Sequence, residues 1–141
     1  MAGGFYTGEH ACIMDYGAKI VMYKLVILIE TFPEWQKLDE RWPEFLHISE
    51  EMPELRREAT SQVLESLFGN KLYVRMHELF FDSETDLRAA MASPPGQAAG
   101  RMLQQITHGN MVLFIAEHHE DDLDHIRAFK NAGEQAPVEK E

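Results

Sequence analysis

The chain has 141 residues, of which 45% are hydrophobic and 26% charged, and its formal net charge is -11. This length and composition are typical of one globular domain with a hydrophobic core. The acidic charge argues against nucleic-acid binding and against a polybasic contact with membranes, because both need Lys and Arg near phosphate groups. Cys12 is the only cysteine, which excludes an intrachain disulfide and a cysteine-rich zinc site. The longest apolar run is too short for a membrane-spanning helix, and we expect a cytoplasmic protein.

The two ends of the chain differ from its centre. Residues 1–21 contain four glycines and no hydrophobic period. We expect them to be an extension outside the domain, either an addition to the natural protein or an arm that packs on a partner subunit. The domain is predicted over residues 22–118. The acidic tail, residues 119–141, is predicted to form a short helix with Leu123, Ile126 and Phe129 inward, and then to be disordered.

The first half of the domain reads as a strand, a helix and a second strand. Residues 22–30 are mostly Val, Ile and Leu, which is typical of a buried strand. A helix is predicted over residues 34–51, where Pro43 should cause a kink. Its apolar stripe consists of Trp35, Leu38, Trp42, Phe45, Leu46 and Ser49. The polar residues 54–66 favour a strand at the edge of the sheet.

The second half contains a strand, two helical pieces and a last strand. Residues 72–81 form an apolar strand, and Ser83 then begins a helix. The stretch Ser93-Pro94-Pro95-Gly96 interrupts the helical pattern. We expect Ser93 to be the N-cap of the second piece, with Pro94 at its first position. The backbone N–H at the first position of a helix has no partner within the helix, so proline, which has no N–H, is well suited to it. Gly109 ends this piece, and residues 111–118 form the last strand.

The order of elements is β-α-β-β-α-β, the ferredoxin-like α+β fold with one antiparallel four-stranded sheet. Side chains of both parities are apolar on the first, third and fourth strands. One layer of helices covers only one face of a sheet, so the second face needs another partner. We therefore predict a homodimer formed through the sheet face, as in a dimeric α/β barrel.

Three stretches carry a resemblance to a known family. They are "MYKLVILIE", "DERWPEFLHISEEMPEL" and "HELFFDSETDLRAAMASPPGQAAG". In this order and spacing, over about residues 22–118, the chain resembles the EthD family, named for a component of an ethyl tert-butyl ether degradation system. The resemblance implies a sheet-to-sheet dimer and a small pocket between the sheet and the helices of each subunit.

The chain also departs from the family pattern. Where members often have a histidine on the first helix, this chain has Leu46, and His47 follows one position later. Val74 stands where an acidic residue is expected, and Pro94-Pro95-Gly96 replaces Pro-Glu-Gly. Proteins of the wider superfamily include cofactor-free monooxygenases, cyclases, isomerases and haem-handling enzymes.

Glu78 is the leading candidate for a catalytic residue, because it matches the family pattern and shares its strand face with apolar side chains. A carboxylate there must be paired or hold a proton, and the second state would suit a general acid or base. The alternative is an ion pair with Arg56, Arg57 or Arg75. His77 points to the other face, where it is either a pocket residue or an interface histidine. The sequence does not decide which of the two faces the pocket.

The remaining predicted binding residues are apolar or aromatic. Together with His77, the expected substrate-binding set is Trp42, Phe45, Leu46 and Phe80, although aromatic residues at helical spacing are also common in plain cores. His118, Asp122 and His125 follow no recognised metal spacing, so a solvated acidic face is expected there. We predict no metal and no cofactor.

The sequence therefore predicts a protein that binds a small, largely apolar organic molecule. It would be a cofactor-independent or auxiliary enzyme of oxidative or degradative metabolism, of the monooxygenase, isomerase or cyclase type. The alternative is a non-catalytic dimer that binds a metabolite or supports a partner enzyme. A haem-handling protein is a weaker alternative.

Overall fold

The computed structural model describes residues 20–121, 123 and 124. The strands are β1 (Ile20–Glu30), β2 (Arg57–Gln62), β3 (Tyr73–Phe81) and β4 (Met111–Glu120). The helices are α1 (Leu38–Ser49), α2 (Glu84–Ala92) and α3 (Pro94–Thr107), and a short 3-10 turn (Trp35–Lys37) precedes α1. The predicted β-α-β-β-α-β order is confirmed, with its second helix in two pieces.

The four strands form one sheet in the order β2-β3-β1-β4. Strand β3 is antiparallel to both β1 and β2, and β2 is at an edge, as its polar sequence predicts. In the middle of β3, His77 is opposite Ile27 on β1 and Thr60 on β2. His77 therefore lies in the interior of the sheet, with a neighbouring strand on each side.

The helices cover the sheet face to which Leu25, Ile27, Leu79 and Phe81 point, which we call the helix face. These side chains pack with the buried stripe of α1 and with the inner side of α3 in one hydrophobic core. Because side chains alternate along a strand, their neighbours Val26, Leu28, Met76 and Phe80 point to the opposite side, which we call the far face. Both faces are thus apolar, as predicted from the strand sequences.

Helix α1 is shorter than the predicted helix, because a 3-10 turn occupies residues 35–37 and Ser49 is its last residue. Its fully packed side chains are Leu38, Trp42, Phe45 and Ser49, at the steps of three and four that the stripe predicts. Pro43 lies inside the helix. Ser49 is thus the one serine among these packed side chains, and it lies on the side of α1 that faces the sheet.

Ser93 joins α2 to α3. It is the C-cap of α2 and the N-cap of α3, and Pro94 takes the first position of α3, as predicted. The Ser93 hydroxyl accepts a hydrogen bond from the Gly96 amide at 3.2 Å and donates one to the Ala90 carbonyl at 2.6 Å. A Cβ atom on Gly96 would lie 2.0 Å from that same carbonyl oxygen, so only glycine fits this turn.

The chain ends are described only in part. Residues Met22–Glu117 form one compact unit, and the described residues before and after them belong to a second one. Strand β1 begins at Ile20 rather than at residue 22, and β4 continues to Glu120. The predicted extension before Ile20 lies outside the described residues, as do Ile126 and Phe129 of the predicted tail helix. Leu123, which is predicted to point inward with them, is exposed. None of the helices in the described ranges is long and apolar enough to cross a membrane.

Candidate functional site

A cavity of about 240 Å³ lies between the helix face of the sheet and helices α1 and α3. Leu25, Ile27 and Leu79 form its sheet side, and Phe45 is part of its α1 side. Small residues of α3, Ala99 and Gly100 among them, leave the space that larger side chains would fill. An apolar cleft beneath helices is a common place for a small ligand.

Two polar side chains, Ser49 and Gln97, are among the described residues that line this cavity. Gln97 is exposed, whereas Ser49 is fully buried at the end of α1. Its hydroxyl oxygen lies 2.6 Å from Oε2 of Glu58 and 3.0 Å from the carbonyl oxygen of Leu46. Ser49 therefore connects the cavity wall to a polar cluster on the neighbouring strands.

This cluster continues from Glu58 on β2 to His77 on β3. Oε2 of Glu58 is 3.2 Å from Nε2 of His77, and Nδ1 of His77 is 2.8 Å from the hydroxyl of Thr60. We call Ser49, Glu58, His77 and Thr60 the polar chain. A side chain with no exposed surface, such as His77, needs partners for both ring nitrogens, and the polar chain provides them.

The surroundings of Glu58 act on its protonation in opposite directions. Burial by itself would raise the pKa of Glu58, because it disfavours the charged form. Hydrogen bonds from His77 and Ser49, together with the charge of His77, outweigh burial and hold the pKa of Glu58 below its ordinary value of 4.5. At neutral pH Glu58 is therefore an ionised carboxylate, which only accepts hydrogen bonds.

Two aromatic rings of α1 enclose His77. The ring centroids of Trp42 and Phe45 lie 5.3 and 5.6 Å from that of His77, both in edge-to-face arrangement. The guanidinium of Arg75 lies over the ring of Trp42 at 4.7 Å and hydrogen-bonds to Asp39 and Gln62. These contacts fix the orientation of the imidazole, and they bring together three residues that the sequence places in a pocket.

Glu78, the predicted catalytic residue, lies on the far face of the sheet. Its Oε2 is 2.5 Å from Nζ of Lys24, and both side chains are mostly buried. The alternative predicted from the sequence is an ion pair with Arg56, Arg57 or Arg75, but the partner is Lys24. Arg56 pairs with Glu54 and Asp82, and Arg75 pairs with Asp39 on the helix face. Glu78 could exchange a proton with a ligand only if its side chain lined the ligand pocket. It does not line the cavity beneath the helices.

The other predicted binding residues divide between the two faces. Phe45 is on the cavity wall, and Leu46 packs at the border of the core without lining the cavity. Phe80 is buried on the far face, with the guanidinium of Arg57 at 4.1 Å from its ring centroid. The structure thus groups Trp42, Phe45 and His77 together and separates them from Glu78 and Phe80.

Sequence reasoning missed Ser49 and Glu58 as site residues. The one available signal for Ser49 is its place on the apolar stripe of α1, where a buried hydroxyl must find a partner. Glu58 carries no comparable signal, because β2 is polar along its whole length. No group of three or more His, Cys, Asp and Glu suited to a metal occurs in the described part of the chain, and Asp122 and His125 lie outside it.

Comparison with solved structures agrees with this fold. An EthD family protein from Bacillus halodurans has a TM-score of 0.64 and 26% identity, over 69% of this chain and 98% of its own. The resemblance to the EthD family is confirmed. No protein-family model matches the sequence, and no curated protein matches it.

Two further structures share the fold at lower identity. A dimeric ferredoxin-like protein of unknown function from Jannaschia is 20% identical over 70% of this chain and 100% of its own, with a TM-score of 0.53. An EthD-like protein from Ralstonia eutropha is 18% identical over 73% of this chain and 96% of its own, with a TM-score of 0.52. At this identity the likeness concerns the fold alone.

Proposed function

We propose that this chain is an EthD-like protein that binds a small, largely apolar organic molecule between its sheet and its helices. The observation that carries the proposal is the cavity of about 240 Å³, whose lining among the described residues is apolar except at Ser49 and Gln97. Burial of an apolar ligand there is favourable by about 25 cal/mol per Å² of apolar surface removed from water. The volume suits a ligand of one or two rings.

The experiment is ligand-observed NMR with a panel of aromatic and aliphatic compounds. Ala99→Leu adds a large side chain at the cavity wall and should abolish binding. Ala89→Leu makes the same change at an exposed position of α2 that does not line the cavity, and it should leave binding unchanged. Equal binding by both variants would show that the ligand lies elsewhere.

Catalysis is a second step of this proposal, and the polar chain supports it. A carboxylate that is hydrogen-bonded to a histidine can move a proton, and the pair of Glu58 and His77 meets the cavity wall at Ser49 without lining the cavity itself. The activity expected from the sequence is that of a cofactor-independent or auxiliary enzyme of oxidative or degradative metabolism. Mass spectrometry of the ligand after incubation separates this function from binding alone: unchanged ligand favours a non-catalytic binding protein.

We also propose that the protein is a homodimer that buries the far face of its sheet. The half-buried apolar side chains Leu28 and Met76 on this face support the proposal, because a second copy would remove them from water. Solved structures with the same fold are described as dimeric. The cytoplasmic location expected from the sequence stays a prediction.

A further inference from the structure

The cavity beneath the helices has a buried interior and an exposed mouth. Met91 and Leu113 line it with 38% and 44% of their surface exposed, and Gln97 is exposed on the same lining. Ser49, the other polar lining residue, has no exposed surface and is out of reach of a ligand. The interior consists of buried apolar side chains of the sheet and α1, namely Leu25, Ile27, Phe45 and Leu79. Within the described lining, Gln97 is therefore the polar side chain that an entering molecule meets.

The side-chain amide of Gln97 has no hydrogen-bond partner in the part of the chain that the structure describes. Its backbone amide is used, because it donates to the Ser93 carbonyl at 2.9 Å in the first turn of α3. The capped start of this helix thus fixes the backbone from which the side chain extends. A glutamine amide offers two N–H donors and one carbonyl acceptor, so Gln97 can donate to a ligand and accept from it at the same time.

The charge of the site favours an uncharged ligand. The cavity lining contains no charged side chain among the described residues. An ionised group that leaves water needs a counter-ion, and an anion would also meet the field of a chain whose formal net charge is -11. An uncharged polar group lacks both penalties, and Gln97 supplies its hydrogen bonds.

We propose that Gln97 determines the specificity of the cavity at its mouth. The ligand is an uncharged molecule whose apolar body fills the interior, and whose one polar end group both donates and accepts a hydrogen bond, as a carboxamide or a hydroxyl does. This inference rests on the proposed function. A carboxamide matches the amide of Gln97 especially well, because each of the two groups can donate to the carbonyl of the other.

The test compares four compounds with one ring system by titration of the full chain at pH 7. They are 2-naphthamide, unsubstituted naphthalene, the anion 2-naphthoate and the cation 2-naphthylmethylammonium. We expect 2-naphthamide to bind about fivefold more tightly than naphthalene, within the range of one net hydrogen bond. Both ions should bind more weakly than 2-naphthamide. Equal affinities of 2-naphthamide and naphthalene, or tighter binding of either ion, would overturn the inference.

Two variants of Gln97 locate the effect. Gln97→Met keeps the length of the side chain without its amide, so 2-naphthamide should weaken to the level of naphthalene while naphthalene is unchanged. Gln97→Lys supplies a cation and should make 2-naphthoate the preferred compound. Gln104→Met and Gln104→Lys are the controls, because Gln104 is exposed on the same helix and does not line the cavity. A preference for 2-naphthamide that persists in Gln97→Met, or a gain of 2-naphthoate binding that is equal in both lysine variants, would contradict the role of Gln97.

The outcomes separate the two proposals. If none of the four compounds binds, or if all bind equally well to Ala99→Leu, the proposed function fails and this inference fails with it. If all four bind to the unmodified protein with equal affinity and Ala99→Leu abolishes binding, the cavity is a ligand site but Gln97 does not select its ligand. Thermal unfolding of each variant, compared with the unmodified chain, shows whether a loss of binding is a loss of fold.

Discussion

Oε2 of Glu58 and Nε2 of His77 are 3.2 Å apart across the pair of strands β2 and β3, and the same carboxylate oxygen is 2.6 Å from the hydroxyl of Ser49. One oxygen atom thus connects the edge strand, the central strand and the end of helix α1. This contact joins elements that are separated in sequence, and it supplies a charged acceptor for two buried donors.

Replacement of Glu58 by glutamine should destabilise the protein in a pH-dependent way. Hydrogen bonds to a charged group contribute about 1.5–3 kcal/mol, so Glu58→Gln should lower the free energy of unfolding by roughly this amount at pH 7. The folded-state pKa of Glu58 is lowered, so its stabilisation is complete above the ordinary value of 4.5 and is lost as the pH falls through the folded pKa. Urea unfolding between pH 7 and pH 3 measures this change.

The control for this experiment is Glu50→Gln, which makes the same change at an exposed position after α1. Its effect should stay within about 0.5 kcal/mol at every pH. A difference between Glu58→Gln and the unmodified chain that stays constant down to pH 3 would contradict the charge-dependent contact.

The imidazole of His77 should carry a proton on Nε2 at every pH at which the protein is folded and Glu58 is ionised. The reason is that the carboxylate accepts and needs a donor, whereas the Thr60 hydroxyl can donate to Nδ1 or accept from it. Nitrogen-15 chemical shifts of the His77 ring distinguish the tautomers. A neutral ring with its proton on Nδ1 would contradict the direction of the whole polar chain.

Two glycines of α3 should respond oppositely to alanine. Gly96→Ala places a Cβ atom 2.0 Å from the Ala90 carbonyl oxygen, and the backbone must move, so we expect a loss of about 2 kcal/mol or more. Gly100→Ala meets nothing within 4 Å in the same helix. It should stabilise the protein by up to about 1 kcal/mol, because alanine favours helices over glycine. Denaturant unfolding of both variants is the measurement, and similar effects would contradict the close contact at Gly96.

A charge on the far face should dissociate the proposed dimer. Leu28→Asp places a carboxylate among side chains that a second copy would bury, and an unpaired buried charge strongly disfavours association. Light scattering should show twice the monomer mass for the unmodified chain and the monomer mass for Leu28→Asp. Leu64→Asp is the control, because Leu64 is exposed outside the strands. A monomeric unmodified chain would overturn the proposal of a homodimer.

Glu78→Gln should leave ligand binding in the cavity unchanged within about twofold, because Glu78 pairs with Lys24 on the far face and does not line the cavity. The same titration with Gln97→Met serves as the contrast, because Gln97 lines the cavity. A large loss of binding in Glu78→Gln would show that the far face belongs to the ligand site and would restore Glu78 as a candidate for catalysis.

The fold follows from the sequence more closely than the site does. Apolar side chains of both parities in β1 and β3 identify strands of a covered sheet, and Ser93 with Pro94 identifies the start of α3. Because both faces of these strands are apolar, the sequence pattern does not show which face the helices cover. The three-dimensional structure is needed to decide whether His77 or Glu78 points to that face. Glu58 is recognisable only when α1 and β3 lie against β2, because its role depends on Ser49 and His77 rather than on its own neighbours.

The cap at Ser93 has a consequence for the shape of the cavity. Met91 before it and Gly96 after it both line the cavity, and they belong to different helices. The relative direction of these helices is set at Ser93, whose extended backbone has φ -69° and ψ 160°. The width of this part of the cavity is therefore controlled by one backbone joint, so a substitution at Ser93 would act on which molecules enter as well as on how firmly the chain is folded.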